Sequence, residues 1–176
     1  DKFIIMYSGN MGLGHHLDIL IDLAVVLKSH EEILFLFIGE GAKKNSLQNL
    51  VKLNQLNNVK FLTWQTATVL PFSLAAANIS VVALEAGATH ASVPSKTFNY
   101  MAVGSPILGI GNPNTELEKL IKQFQLGFYS EKDSIKEINE FVLELYHNND
   151  LCAQYAQNAL QASKNYTHEL AKGYVF

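Results

Sequence analysis

The chain has 176 residues, 48% of them hydrophobic and 16% charged, with a formal net charge of −3. That length suits one domain of ordinary size, able to bury roughly two thirds of its unfolded surface in a proper core. All 13 cationic side chains are lysines, so the balance excludes a basic nucleic-acid binder, and any anion site must use lysine, backbone N–H groups and helix N-termini.

The single cysteine, Cys152, excludes an internal disulfide and reads as a small buried apolar residue. No stretch has the pattern of a signal peptide, and no apolar run is long enough to span a bilayer. The composition suits a reducing cytoplasm. The chain opens at Asp1 without an initiator Met and enters a strand at once. That reads as a cut at a domain boundary, a removed targeting segment being the alternative.

In chain order, strand and helix patterns alternate throughout. A strand over residues 2–8 ends in a turn carrying Gly9, Gly12 and Gly14. A helix follows, with Leu17, Leu20, Ile21, Ala24 and Val25 at helical spacing and its end near Lys28. The continuous apolar run 33–38 fits a strand buried on both faces. Leu47, Leu50, Val51 and Leu53 mark a second helix. A third strand over 59–62 leads to a short helix over 69–77, then a fourth strand over 79–84. A loop over 85–94 precedes a helix over 95–103. A strand over 106–110, a helix over 114–125, a strand over 126–129 and helices over 135–146 and 151–166 complete the order. This is the pattern of an α/β fold: a Rossmann-like, doubly wound parallel sheet of about six strands with flanking helices, in one domain over 1–176.

In open parallel sheets a ligand lies beyond the carboxyl ends of the strands, at the topological switch point. Three loops therefore carry the search. The first runs from Ser8 to His16 through Gly9, Asn10, Gly12 and Gly14. Its glycines permit close backbone approach, and free N–H groups ahead of a helix form an anion site. The spacing G-x-x-G-x-G is not the dinucleotide fingerprint, and a tight structural turn is the equal alternative. The second is Gly39-Glu40-Gly41, where Glu40 either accepts ribose hydroxyls or caps the next helix. The third leads through Pro94 into a helix with Ser95 as N-cap and Lys96 in its first turn. A lysine there opposes the macrodipole, which points to an anionic ligand, a harmless exposed lysine being the alternative.

Three segments occur in matching order: Tyr7-Ser-Gly-Asn-Met-Gly12, Phe37-Ile-Gly-Glu-Gly41, and the run from Val93-Pro-Ser-Lys96 to Tyr100-Met-Ala-Val-Gly-Ser-Pro-Ile107. Together they resemble the C-terminal domain of family 4 glycosyltransferases with the GT-B fold, over nearly the whole chain. The variant at residues 8–12 is most similar to bacterial transferases of surface polysaccharide synthesis, including fucosaminyl-transferase-like members. The resemblance implies a nucleotide-sugar (donor) binding domain whose acceptor-binding N-terminal partner lies outside this chain. It implies that Gly9, Asn10, Gly12 and Gly14 lie against the donor diphosphate and that Pro94, Ser95 and Lys96 face it, Lys96 stabilising the leaving group. In many members an Arg and a Lys follow the first loop; His15 and His16 stand here instead. Most members place a ribose-binding Glu where this chain has Asn99, and another where it has Ala91. Asn can bond a diol, without the charge assistance of a carboxylate.

The same resemblance implies retention of anomeric configuration without a metal or other cofactor, and a glycan or lipid-linked acceptor held by the N-terminal domain. The donor is expected to be UDP-linked, with guanosine and adenosine as the open alternatives for the base. The charge balance leaves no nucleic-acid partner. The expected place is the cytoplasm, at the inner membrane face through the other domain. His15 and His16 are candidate donor contacts and His90 a candidate sugar contact, whereas His30, His147 and His168 read as surface residues and Asp18 and Asp22 as facing water. The catalytic base or His is expected on the N-terminal domain, so the fragment alone should bind donor weakly and turn over nothing. Alternatives are a half-enzyme like a UDP-N-acetylglucosamine 2-epimerase, a NAD-binding oxidoreductase domain, or a flavodoxin-like signalling module. The last lacks the acidic cluster a receiver domain needs near Ser8–Gly14.

Overall fold

The computed structural model describes residues 2–84, 93–131 and 134–166. Six parallel strands form one sheet: β1 (Phe3–Ser8), β2 (Ile33–Ile38), β3 (Val59–Leu62), β4 (Ile79–Ala83), β5 (Ile107–Gly111) and β6 (Gly127–Glu131). Their spatial order is β3-β2-β1-β4-β5-β6. The order reverses between β1 and β4, which opens a crevice beyond their carboxyl ends. The expected doubly wound sheet is the one observed.

Alternation along each strand sends side chains to opposite faces. Ile5 and Tyr7 of β1 join Phe35 and Phe37 of β2 on one face. They pack there against α1 (Asp18–Val26), α2 (Lys44–Leu53) and α6 (Ile135–His147). Met6, Leu36, Ile38 and Val82 point the other way, to α3 (Leu70–Ala75), α4 (Ser95–Ala102), α5 (Glu116–Phe124) and α7 (Asn149–Ser163). Because both faces are covered, β2 is apolar at every position rather than alternating. The element order follows the sequence closely, with helix ends shifted by a few residues, and a short 3-10 turn, Lys164–Tyr166, closes the last helix.

Local chemistry explains several ends. Thr115 caps α5 by accepting from the Glu118 N–H, and the Glu118 carboxylate accepts from the Asn114 N–H. Ser134 and Asn148 cap α6 and α7 in the same way. α1, α2, α3 and α4 have no side-chain cap. Cys152 is half-buried, and burial pushes its thiol pKa up, in keeping with a packed, unreactive cysteine. No helix among the described residues is long and apolar enough to cross a membrane.

Candidate functional site

At the switch point lies a cavity of about 250 Å³. Ser8 and Gly9 form its floor where β1 ends, and Ser95, Lys96, Asn99 and Tyr100 of α4 form one wall. Trp64 and Gln65, just past β3, and Leu70 and Leu74 of α3 form the other. A larger groove of about 710 Å³ runs beside β6, but Glu131, Glu137, Glu140 and Glu144 line it. Carboxylates at that density repel a phosphate. Of these two, the cavity at the switch point is the one whose described lining carries a lysine and no carboxylate.

Lys96 is its central cation. The ammonium sits 4.1 Å from the centre of the Tyr7 ring, a cation–π contact. It also packs on Gly9 so closely that a Cβ there would lie 2.5 Å from Nζ, and φ at Gly9 is +149°. Only glycine fits that position. No carboxylate among the described residues pairs with Lys96. Burial pushes its pKa down to about 8: the charged form has lost water without gaining a counter-ion among the described residues.

The two glycine loops are built on each other. Gly9 N–H donates to Ile38 O, Met11 N–H to Glu40 O, and Lys43 N–H to Met11 O. A Cβ at Gly39 would meet Gly9 O at 2.2 Å, and one at Gly41 would meet the Met11 backbone at 2.4 Å. This corrects one expectation: the Gly9 N–H is already bonded within the protein and is not free for an anion. The glycines serve the approach of two backbones. Asn10 is exposed, and its carbonyl accepts from the Tyr7 hydroxyl at 2.7 Å.

Other expected residues divide. Gly12 and Gly14 belong to the turn before α1, where His15 N–H donates to Gly12 O, and α1 begins only at Asp18. His15 Nδ1 donates to Ala83 O at 3.1 Å, and its ring tilts against Tyr7; it joins the first loop to β4 rather than lining the cavity. Glu40 does not cap α2, since its carboxylate pairs with Lys44 at 2.7 Å. Asp18 does not simply face water but pairs with Lys43, whose Nζ also donates to His15 O at 2.8 Å. Ser95 is the first helical residue and not the N-cap. Pro94, extended at φ −57° and ψ 134°, occupies that position, and its carbonyl accepts from the Thr97 N–H. His30 is half-buried, with its ring against Tyr146. His90 and Ala91, like His168, lie outside the described residues.

Four contributors escaped the sequence reading. Tyr7 and Tyr100 stand in the matching segments with no role assigned from sequence, and burial raises both phenol pKa values. Trp64 is half-exposed beside the cavity, and an isolated Trp after a strand was the available signal. Lys43 closes the base of both loops. Among the described residues no group of three or more His, Cys, Asp or Glu side chains is placed to hold a metal ion.

The family model described as Glycosyl transferases group 1 matches residues 1–162. A Rossmann-like parallel sheet fits that class, and the chain belongs to this family. It is 30% identical over 164 residues to WcaI of Escherichia coli (strain K12), named as a colanic acid biosynthesis glycosyl transferase, covering 91% of this chain and 40% of that protein. The chain thus spans about two fifths of that relative's length. Among solved structures it resembles a mutant of S. aureus TarM in complex with fondaparinux, α-GlcNAc-glycerol and UDP. That match has a TM-score of 0.79 at 18% identity and covers 97% of this chain and 34% of TarM. It also resembles the C-terminal domain of the group 1 family protein LpcC from Francisella tularensis. There the TM-score is 0.76 at 19% identity, over 94% of this chain and 87% of that one. Such structural neighbours are GT-B glycosyltransferase domains, and at these identities they speak for the fold.

Proposed function

We propose that this chain is the donor-binding, C-terminal half of a retaining glycosyltransferase of surface polysaccharide synthesis, taking a nucleoside diphosphate sugar, with UDP as the nucleotide. The observation that carries the reading is the Lys96 ammonium, enclosed beside Gly9 without a carboxylate partner among the described residues. An enclosed, uncompensated cation is costly, and an incoming anion relieves the cost. The relative magnitudes favour the lysine over the helix end. An ammonium and a phosphate about 4 Å apart near a surface attract by about 4 kcal/mol, against about 0.3–1 kcal/mol for an N-terminal helix dipole.

Lys96 then stabilises the charge that develops on the leaving diphosphate, with Ser95 and the start of α4 beside it and no metal. Asn99, exposed on the same wall, faces the ribose. The relatives' names support a polysaccharide acceptor, and UDP in the TarM complex supports the nucleotide. Acceptor binding belongs to an N-terminal domain at the cytoplasmic membrane face. The test is calorimetry of the 176-residue chain with UDP, GDP, ADP and NAD, beside Lys96→Ala. UDP binding weakened by the substitution supports the proposal, and preference for NAD overturns it.

A further inference from the structure

We propose that Tyr7 is a positioning residue of the diphosphate cradle, a role that rests on the donor-site reading above: its ring seats the Lys96 ammonium and its hydroxyl pins the glycine loop. The two contacts come from opposite parts of one buried side chain. The ring carries Lys96 Nζ at 4.1 Å from its centre. The hydroxyl donates to Asn10 O at 2.7 Å, within the turn that follows Gly9. Tyr7 is 1% exposed and is itself fixed by Phe37 on β2, ring centres 6.4 Å apart, and by His15, 6.5 Å away.

A lysine is a compact charge on a flexible stem, and it recognises a phosphate well only when its stem is held. Here a second residue of α4 completes the frame. The Tyr100 hydroxyl bonds both the N–H and the carbonyl of Ser8, so the end of β1 cannot slide relative to the helix that carries Lys96. Tyr7 and Ser8 are adjacent, and the distance from cation to loop is set by these two phenols. Burial keeps the Tyr7 phenol protonated, so it remains a donor to Asn10 at every working pH. A purely structural Tyr7 would also need a partner for its buried hydroxyl; what it would not do is tie UDP affinity to the ring through Lys96.

The experiment uses the whole chain with Tyr7→Phe, Tyr7→Met and Lys96→Met, alone and combined, with UDP as ligand. NMR of the lysine side chains reports the seat without ligand, because a proton held over an aromatic face shifts upfield. Tyr7→Phe keeps the ring, so the upfield Lys96 signal stays, while UDP affinity falls a few-fold through the freed loop. Tyr7→Met removes the ring, so the signal returns to the position of the other lysines and affinity falls by about tenfold. The difference between the two Tyr7 variants vanishes when Lys96 is Met, as it must if the ring acts through the lysine. An unshifted Lys96 signal in the wild type, or equal UDP affinity in all Tyr7 variants, overturns the proposal. An upfield signal without any nucleotide binding overturns instead the donor-site reading on which it rests. Should Tyr7→Met not fold, Tyr7→Phe decides: full UDP affinity there overturns the hydroxyl's part.

Discussion

The Tyr100 hydroxyl accepts a hydrogen bond from the Ser8 N–H and donates one to the Ser8 carbonyl, each at 3.1 Å, with all three groups buried. Tyr100→Phe keeps the packing and strands two backbone groups. Leaving buried polar groups unsatisfied costs about 1–3 kcal/mol. In a domain of this size that is a fall in Tm of roughly 2–10 °C. Urea and thermal unfolding monitored by circular dichroism check it. A variant as stable as wild type would mean that water replaces the phenol.

Gly39 and Gly12 make a controlled pair. At Gly39, φ is +132° and an added Cβ would lie 2.2 Å from Gly9 O, a backbone atom that cannot move aside. At Gly12 the nearest neighbour is the His15 ring at 3.2 Å, a side chain that need give only slightly. Gly39→Ala is expected to destabilise by more than about 2 kcal/mol, and Gly12→Ala by less than about 1 kcal/mol. Equal midpoints in urea would contradict the contact between the two loops.

What the sequence discloses follows from which forces are local. Period and capping residues placed every strand and nearly every helix, because a continuous apolar run such as Ile33–Ile38 has one comfortable place in a parallel sheet. Lys96 was legible because a cation in a first helical turn is locally disfavoured. Tyr7 and Tyr100 were not. Their polar tips have partners set by tertiary packing, on Asn10 and across 92 residues on Ser8, and no spacing rule announces such bonds. The same limit explains Gly9, whose N–H seemed available until the approach of β2 showed it bonded to Ile38 O. Ser95 missed the cap by one position, since Pro94 already holds the extended conformation there.

Lys96 also sets stability against binding. Its folded pKa of about 8 lies below the usual 10.5, so below pH 8 the folded chain carries a charge it holds less well than the unfolded chain does. Between these two values the unfolded state binds more protons, and stability rises with pH. Lys96→Met is therefore expected to raise Tm by a few degrees at pH 7, while weakening UDP binding. The gain should shrink as pH rises from 8 toward 10.5. A lower Tm for the variant at pH 7 would show that the cation–π contact outweighs the lost hydration.

The pH dependence of UDP affinity gives a reading of the opposite sign. A diphosphate binds the ammonium and not the neutral amine, so binding in the free lysine's titration range takes up a proton. The terminal phosphate loses its last proton near pH 6, and Tyr7 and Tyr100 stay protonated because burial raises both. From pH 7.5 upward Lys96 is the facing group among the described residues whose shifted pKa falls in range. Affinity should be nearly level up to the lysine's midpoint of about 8. Above that it should fall with a slope approaching tenfold per pH unit, until the higher pKa of the bound state is reached. Calorimetry at pH 7.5, 8.5 and 9.5 in buffers of different ionisation enthalpy measures both the slope and the proton uptake. Lys96→Ala should leave weak binding that is flat over the same range. A wild-type profile equally flat, with no buffer-dependent heat, would mean that the diphosphate does not meet Lys96.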